Sequence, residues 1–167
     1  MDNVEKDSCG FSLIKPLLVV AIILIIVLII LAIATTNVDR LPPMALNQAS
    51  AVGSLRTINE AESRYASTYP GFSPTLVALG PPASGNATAS AAGMIDSVLA
   101  AGAKSGYSFV YAAPPDASGH YNTYTVNANP IRVGITGVNH YYSDQTGVIR
   151  QNSTEPGSSS DSPLELP

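Results

Sequence analysis

The chain is poor in the residue types that form cross-links, metal sites and nucleic-acid interfaces. Its 167 residues include one cysteine, Cys9, two histidines and no tryptophan. A single cysteine excludes an internal disulfide. The histidines show no HxH or HExxH spacing and no Cys/His cluster, so we predict no metal site and no cofactor. With a net charge of −4 and no basic cluster, the chain lacks the positively charged surface that binds nucleic acid.

Residues suited to catalysis are also scarce. His120 and His140 each lie beside a tyrosine, and we interpret them as surface or sheet-edge residues. Ser73 lacks the second glycine of a nucleophile elbow and is interpreted as a loop serine. Asp144 is a weak calcium candidate, because one carboxylate is too few, and turn initiation is the favoured interpretation. We therefore predict no catalytic residues and no enzyme.

The one long hydrophobic feature is an unbroken run of eighteen apolar residues from Leu17 to Ala34. As a helix with a rise of about 1.5 Å per residue it reaches about 27 Å, close to the thickness of bilayer hydrocarbon. The apolar region of a secretory signal is shorter, about 7–15 residues. The run therefore predicts a membrane-anchor helix over 11–34. Lys6 and Lys15 before it favour a single-pass membrane protein whose amino terminus is cytoplasmic and whose remainder lies outside the cytoplasmic membrane.

The rest of the chain divides by composition. Residues 1–10 form a polar leader, and 35–43, which contains Pro42 and Pro43, form a break. Residues 44–151 form the exported domain. Residues 152–167 are low in apolar content and predict a disordered tail.

Within 44–151 the hydrophobic period changes from helix to strand. Apolar residues and Glu62 recur every three or four positions over 44–69, which predicts an amphipathic helix. Ser90 is placed to cap a short helix over 91–103. Alternation over 107–111 and 121–127 predicts two strands, and 140–143 and 148–151 flank a turn over 144–147. We expect an α+β fold: a long hydrophobic anchor helix, then an amphipathic helix packed on a small antiparallel sheet.

Three segments resemble the type IV pilins and type II secretion pseudopilins. Gly10-Phe11-Ser12-Leu13-Ile14, followed directly by the apolar run, is similar to the site at which prepilins are cleaved. Residues 47–59 (NQASAVGSLRTIN) resemble the helix of a pilin-like group common in acidobacteria, and 143–150 (SDQTGVIR) resemble its terminal hairpin. The likeness spans residues 10–151 in the correct order.

The resemblance implies a pilin-like fold and a set of partners. A prepilin peptidase would cut between Gly10 and Phe11, and the new amino terminus would be methylated. Subunits would leave the inner membrane and stack by their N-terminal helices into a filament with other pilin-like subunits, which can reach the cell surface. Lys15 stands where the family usually has a glutamate that pairs with a neighbour's terminal amine.

An alternative function stays open beside the filament subunit. Lys15, Pro16 and the length of the apolar run favour an unprocessed, single-pass, membrane-anchored binding module in the periplasm. The ordered downstream matches favour the filament subunit. The sequence does not distinguish a pilus from a secretion system.

Overall fold

A computed structural model describes residues 14–35 and 43–165, with side chains described for 17–28 in the first of these ranges. The chain divides into two units, Met1–Arg40 and Leu41–Pro167. The leader lies outside the described residues, as does most of the predicted break.

The first unit contributes one helix, α1, Ile14–Thr35. Pro16 falls in its first turn, where proline's missing N–H has no intrahelical partner to lose. Between Leu17 and Leu28 the large apolar side chains are 44–72% exposed. A helix that is apolar on all sides is normally buried against other apolar groups. The described part of a single chain does not bury these side chains.

The predicted membrane-anchor helix is wrong as part of the fold. Among the residues that the structure describes, no helix is long and apolar enough to cross a membrane.

The second unit is a mixture of α-helix and antiparallel sheet. Its main helix, α2, is Pro43–Thr68, within one residue of the predicted 44–69 at each end. Pro43 begins the helix, where proline is well tolerated. The predicted stripe of Val52, Leu55, Ile58, Glu62 and Tyr65 is buried on α2, whereas Tyr69 follows the helix and is partly buried. Three small residues widen the buried face: Ala51, Ser54 and Ala61.

The predicted helix over 91–103 is mostly wrong. A 3₁₀ turn, Leu76–Leu79, precedes it, and the helix itself, α3, is only Ser97–Ala100. Its cap is Asp96, whose Oδ1 accepts from the N–H of Leu99 at 2.9 Å, and not Ser90. The segment before it donates its backbone N–H groups to the 3₁₀ turn: Ala92 to Ala78, and Met94 to Leu79, each at 2.8 Å. These bonds replace the helical ones.

Five antiparallel strands form one sheet in the order β1-β2-β3-β4-β5. They are β1 Ala103–Lys104, β2 Tyr107–Ala112, β3 Thr125–Pro130, β4 His140–Asp144 and β5 Arg150–Asn152. Phe109 lies opposite Ala128, and Asn127 lies opposite Tyr142. The predicted hairpin over 140–151 is confirmed by the β4–β5 pairing and by the bond from Gly147 N–H to Asp144 O at 2.9 Å.

The second strand begins later than predicted because a turn occupies its first residues. Asp116 accepts from the backbone of Ser118 and His120, and from Nδ2 of Asn122 at 2.6 Å. Residues up to Asn122 are therefore bonded to the turn, and pairing with β2 starts at Thr125.

The core lies between α2 and one face of the sheet. Leu55 and Ile58 are fully buried there, against sheet residues that include Tyr107, Phe109 and Val126.

The residues after β5 differ from the predicted disordered tail. Leu164 donates its N–H to Ile149 O at 2.8 Å and packs against the core, and Pro163 forms a bridge with Arg150. One leucine and one edge pairing order a segment whose composition is otherwise polar.

Candidate functional site

The structure does not describe the surroundings of the residues predicted from the processing motif. Gly10 and Phe11 lie outside the described residues. Lys15 lies in the first turn of α1. The cleavage site and the register position therefore stay predictions.

The second unit carries an open groove between α2 and the β4–β5 turn, of about 630 Å³. One wall is the exposed side of α2 from Asn59 to Arg64, and the other is the turn Gln145–Gly147. Phe72 and Tyr124 line it as an edge-to-face pair, with ring centroids 4.9 Å apart. Ligand sites combine apolar or aromatic lining with polar groups that orient the ligand, and this groove offers both.

Asn59 fixes the geometry of this groove. Its Nδ2 donates to Ser143 Oγ at 2.9 Å and to Gly147 O at 3.2 Å, and its Oδ1 accepts from the Tyr124 hydroxyl at 2.9 Å. The amide thus ties α2 to the hairpin and to Tyr124, the residue before β3. Asn59 and Ser143 belong to the two segments, 47–59 and 143–150, that carry the downstream resemblance, so the fold brings those segments into contact.

Asp144 forms the turn, as the favoured interpretation expected. Its Oδ1 accepts from the N–H and the hydroxyl of Thr146 at 2.9 and 2.6 Å, and its Oδ2 accepts from the Tyr142 hydroxyl at 3.2 Å. Burial alone would raise the pKa of Asp144, but these hydrogen bonds outweigh it and lower the pKa. Over the described ranges, no cluster of three or more His, Cys, Asp or Glu side chains is placed to hold a metal.

A second polar cluster is buried beneath α2. Glu62 is fully buried, and its Oε2 accepts from the N–H of Ser73 at 2.9 Å. Its Oε1 accepts from the Ser73 hydroxyl at 2.5 Å and from the Tyr111 hydroxyl at 2.7 Å. Burial raises the pKa of Glu62, and the three hydrogen bonds offset this only in part.

The Glu62–Ser73 pair has hydrogen-bond geometry that a nucleophile and its base also show, but both side chains are 0% exposed. A substrate has no route to the Ser73 hydroxyl. The cluster instead fastens the loop after α2 and strand β2 to the helix. Sequence reasoning placed Glu62 on the buried face without assigning its role; the available signal was a carboxylate within an otherwise apolar stripe.

The two histidines lie apart. His120 is exposed in the turn after β2. His140 is buried on β4, an inner strand, so its interpretation as a surface or edge residue is wrong. Its Nδ1 lies 2.8 Å from Asn129 Oδ1, and burial lowers its pKa. It is therefore a hydrogen-bonded residue of the sheet.

Comparisons of the chain with protein-family models, curated proteins and solved structures return no match.

Proposed function

We propose that the chain is a structural subunit of a pilin-like filament, of the type IV pilus or type II secretion pseudopilus kind. In this proposal α1 of each copy packs against α1 of neighbouring copies, and the second unit lies on the outside.

The observation that carries the proposal is the exposure of α1. Its large side chains between Leu17 and Leu28 are all apolar and about half exposed or more. Removing apolar surface from water is favourable by about 25 cal/mol per Å². Identical helices without a charged residue in this stretch offer one another a continuous apolar surface, so a bundle of α1 helices is a consistent cover.

The second unit has properties that suit the outside of a filament. It is an independent compact unit whose main helix is fastened to the sheet by Asn59 and Glu62. Such fixed attachments keep a subunit's shape constant from copy to copy, and a regular filament requires this.

Cleavage between Gly10 and Phe11 by a prepilin peptidase is part of the proposal. It would remove the polar leader and leave an amino terminus only a few residues before α1. The short charged segment would then no longer precede the surface that packs.

The test compares two variants, one with a new carboxylate in α1 and a control with a new carboxylate in α2. Ile23→Asp puts a charge in the middle of the exposed apolar stretch, where a bundle would bury it. Ala66→Asp adds the same charge on the exposed side of α2. Full-length chains are examined by electron microscopy and by sedimentation. We expect filaments from the parent and from Ala66→Asp, and a loss of more than about tenfold for Ile23→Asp. Equal assembly of all three overturns the proposal.

The groove favours a second candidate, a binding module. Phe72 and Tyr124 form an aromatic surface there, and Arg64 borders it. If the chain is a binding module, Phe72→Ala should remove ligand binding in the groove while filaments still form. If the chain is a filament subunit, its function should be lost only in variants that no longer assemble.

A further inference from the structure

The side of β5 that does not face β4 is covered by a later segment of the same chain. β5 is the last strand of the sheet, and β4 pairs with only one of its sides. On the other side, the N–H of Gln151 donates to Ser162 O at 3.2 Å, and Ile149 O accepts from the N–H of Leu164 at 2.8 Å. The chain thus covers its own sheet edge with a segment from its C-terminal end. We call residues 153–165 the strap.

The strap matches this edge in detail. Pro163 lies opposite Arg150, between the two backbone bonds, so its missing N–H removes no bond from the ladder. Leu164 is half-buried against the core and lines a small cavity together with Arg56 and Ile149. Two backbone bonds and one apolar anchor are the elements by which added strands are generally recognised.

Polar contacts add to this match. Arg150 Nη1 donates to Asp161 O at 2.9 Å, and Asn152 Nδ2 donates to Asp161 Oδ1 at 3.0 Å. The edge therefore selects a segment of the form Asp-x-Pro-Leu, which the strap supplies.

The strap has few apolar contacts with the rest of the second unit. Of its residues only Leu164 packs against the core. Its other residues are serine, threonine, proline, glycine and acids. Its further contacts are polar or through backbone: Thr154 and Glu155 donate their N–H groups to Asn152 Oδ1, and Gly157 O accepts from Asn127 Nδ2 at 2.5 Å. Gly157 itself is buried against Tyr142. Segments with few buried apolar contacts open at low free energy. An opened strap leaves a bare strand edge, which is a template for pairing with another chain.

We propose that the β5 edge is a strand-addition surface, and that the strap of a second copy of this chain occupies it in exchange for the chain's own. A second copy offers the same Asp161-to-Leu164 segment, so every cis contact can be re-formed in trans, as in domain swapping. The exchange links two second units and does not depend on α1.

The test traps the exchanged strap as a disulfide. Full-length chains carry Cys9→Ser, so introduced cysteines are the only thiols. One preparation has Arg150→Cys, and a second, tagged preparation has Pro163→Cys. Opposite residues at such a position have Cα atoms about 4.5 Å apart, within the range of disulfides. The two preparations are incubated together and oxidised, and the mixed dimer is quantified by mass.

The matched control pairs Ser118→Cys, on an exposed turn, with Pro163→Cys. Docking raises the local thiol concentration toward the millimolar range, so we expect the Arg150–Pro163 dimer to exceed the control more than about tenfold. Adding Leu164→Asp to the tagged chain should reduce it to the control level. A chain with both cysteines that cross-links internally, while the mixed pair gives only control levels, overturns the proposal.

The same measurement in the Ile23→Asp background separates this proposal from the filament. We expect the mixed dimer to persist there, whatever becomes of assembly through α1. Its loss in that background would show that the β5 edge is no interface by itself and would overturn the inference.

Discussion

The hydroxyl of Tyr111 donates to Oε1 of Glu62 at 2.7 Å and so connects β2 to α2 through a fully buried carboxyl group. Ser73 gives the same carboxyl group two more hydrogen bonds. One side chain thereby holds the helix, the following loop and the sheet together. A buried polar group of this kind is stabilising only while its partners are in place.

Stability should depend on pH through Glu62. Burial raises its pKa above the ordinary value of 4.5, so the folded chain holds this proton more tightly than the unfolded chain. The corresponding stability is fully present below pH 4.5 and is lost as pH rises through the folded pKa. The aspartates with lowered pKa, such as Asp96 and Asp144, act in the opposite sense, because their contribution is lost as pH falls.

The measurement is urea denaturation of the parent and of Glu62→Gln from about pH 4 to about pH 8. The aspartates are common to both proteins, so the difference in unfolding free energy between parent and variant isolates Glu62. We expect this difference to shrink as pH rises. A difference that stays constant with pH would contradict the assignment.

Tyr111→Phe should destabilise the second unit by about 1–3 kcal/mol, because a buried carboxyl group loses a donor while the ring is kept. The control is Tyr69→Phe. Tyr69 is also partly buried and, within the described ranges, its hydroxyl makes no hydrogen bond. We expect less than about 0.5 kcal/mol for it. Equal effects in denaturation curves would mean that the ring, and not the hydroxyl, matters at both positions.

Asn59→Ala should loosen the β4–β5 turn and cost about 1–3 kcal/mol, because Ser143 and Tyr124 lose their partner. Gln145→Ala, at an exposed position of the same turn, should stay within about 0.5 kcal/mol. Hydrogen exchange at the amide of Gly147 should accelerate in the first variant only. Unchanged exchange there would show that Asn59 does not hold the turn.

Replacing each of two glycines by alanine should change the stability in opposite directions. Gly137 lies directly against the ring and hydroxyl of Tyr107, so Gly137→Ala forces a core tyrosine to move and should cost more than about 2 kcal/mol. Gly53 lies within α2 with nothing within 4 Å of an added Cβ. Gly53→Ala should raise stability by about 0.5–1 kcal/mol through helix propensity. Thermal unfolding measures both, and the same sign for the two would contradict the packing at Gly137.

The sequence predicted those elements that depend mainly on interactions between neighbouring residues. The three-to-four spacing of α2 and the alternation of β2 depend on neighbouring residues, and both elements were located to within about a residue. The turn at Asp144 was also predictable, because aspartate bonds to its own following backbone.

Long-range bonds explain what the sequence did not predict. The segment before α3 shows helical spacing, but its N–H groups pair with the 3₁₀ turn. The order of the strap depends on Leu164 meeting β5, and the groove depends on Asn59 meeting Ser143 across the chain. The prediction of an anchor helix was wrong because no described helix combines the length and the apolar composition that a bilayer crossing requires.

The most direct test of the pilin-like assignment is the intact mass of the protein purified from its native cells. The account predicts a chain that begins at Phe11, with or without one added methyl group, because a prepilin peptidase would cut after Gly10. A mature chain that still carries residues 1–10 would contradict this assignment.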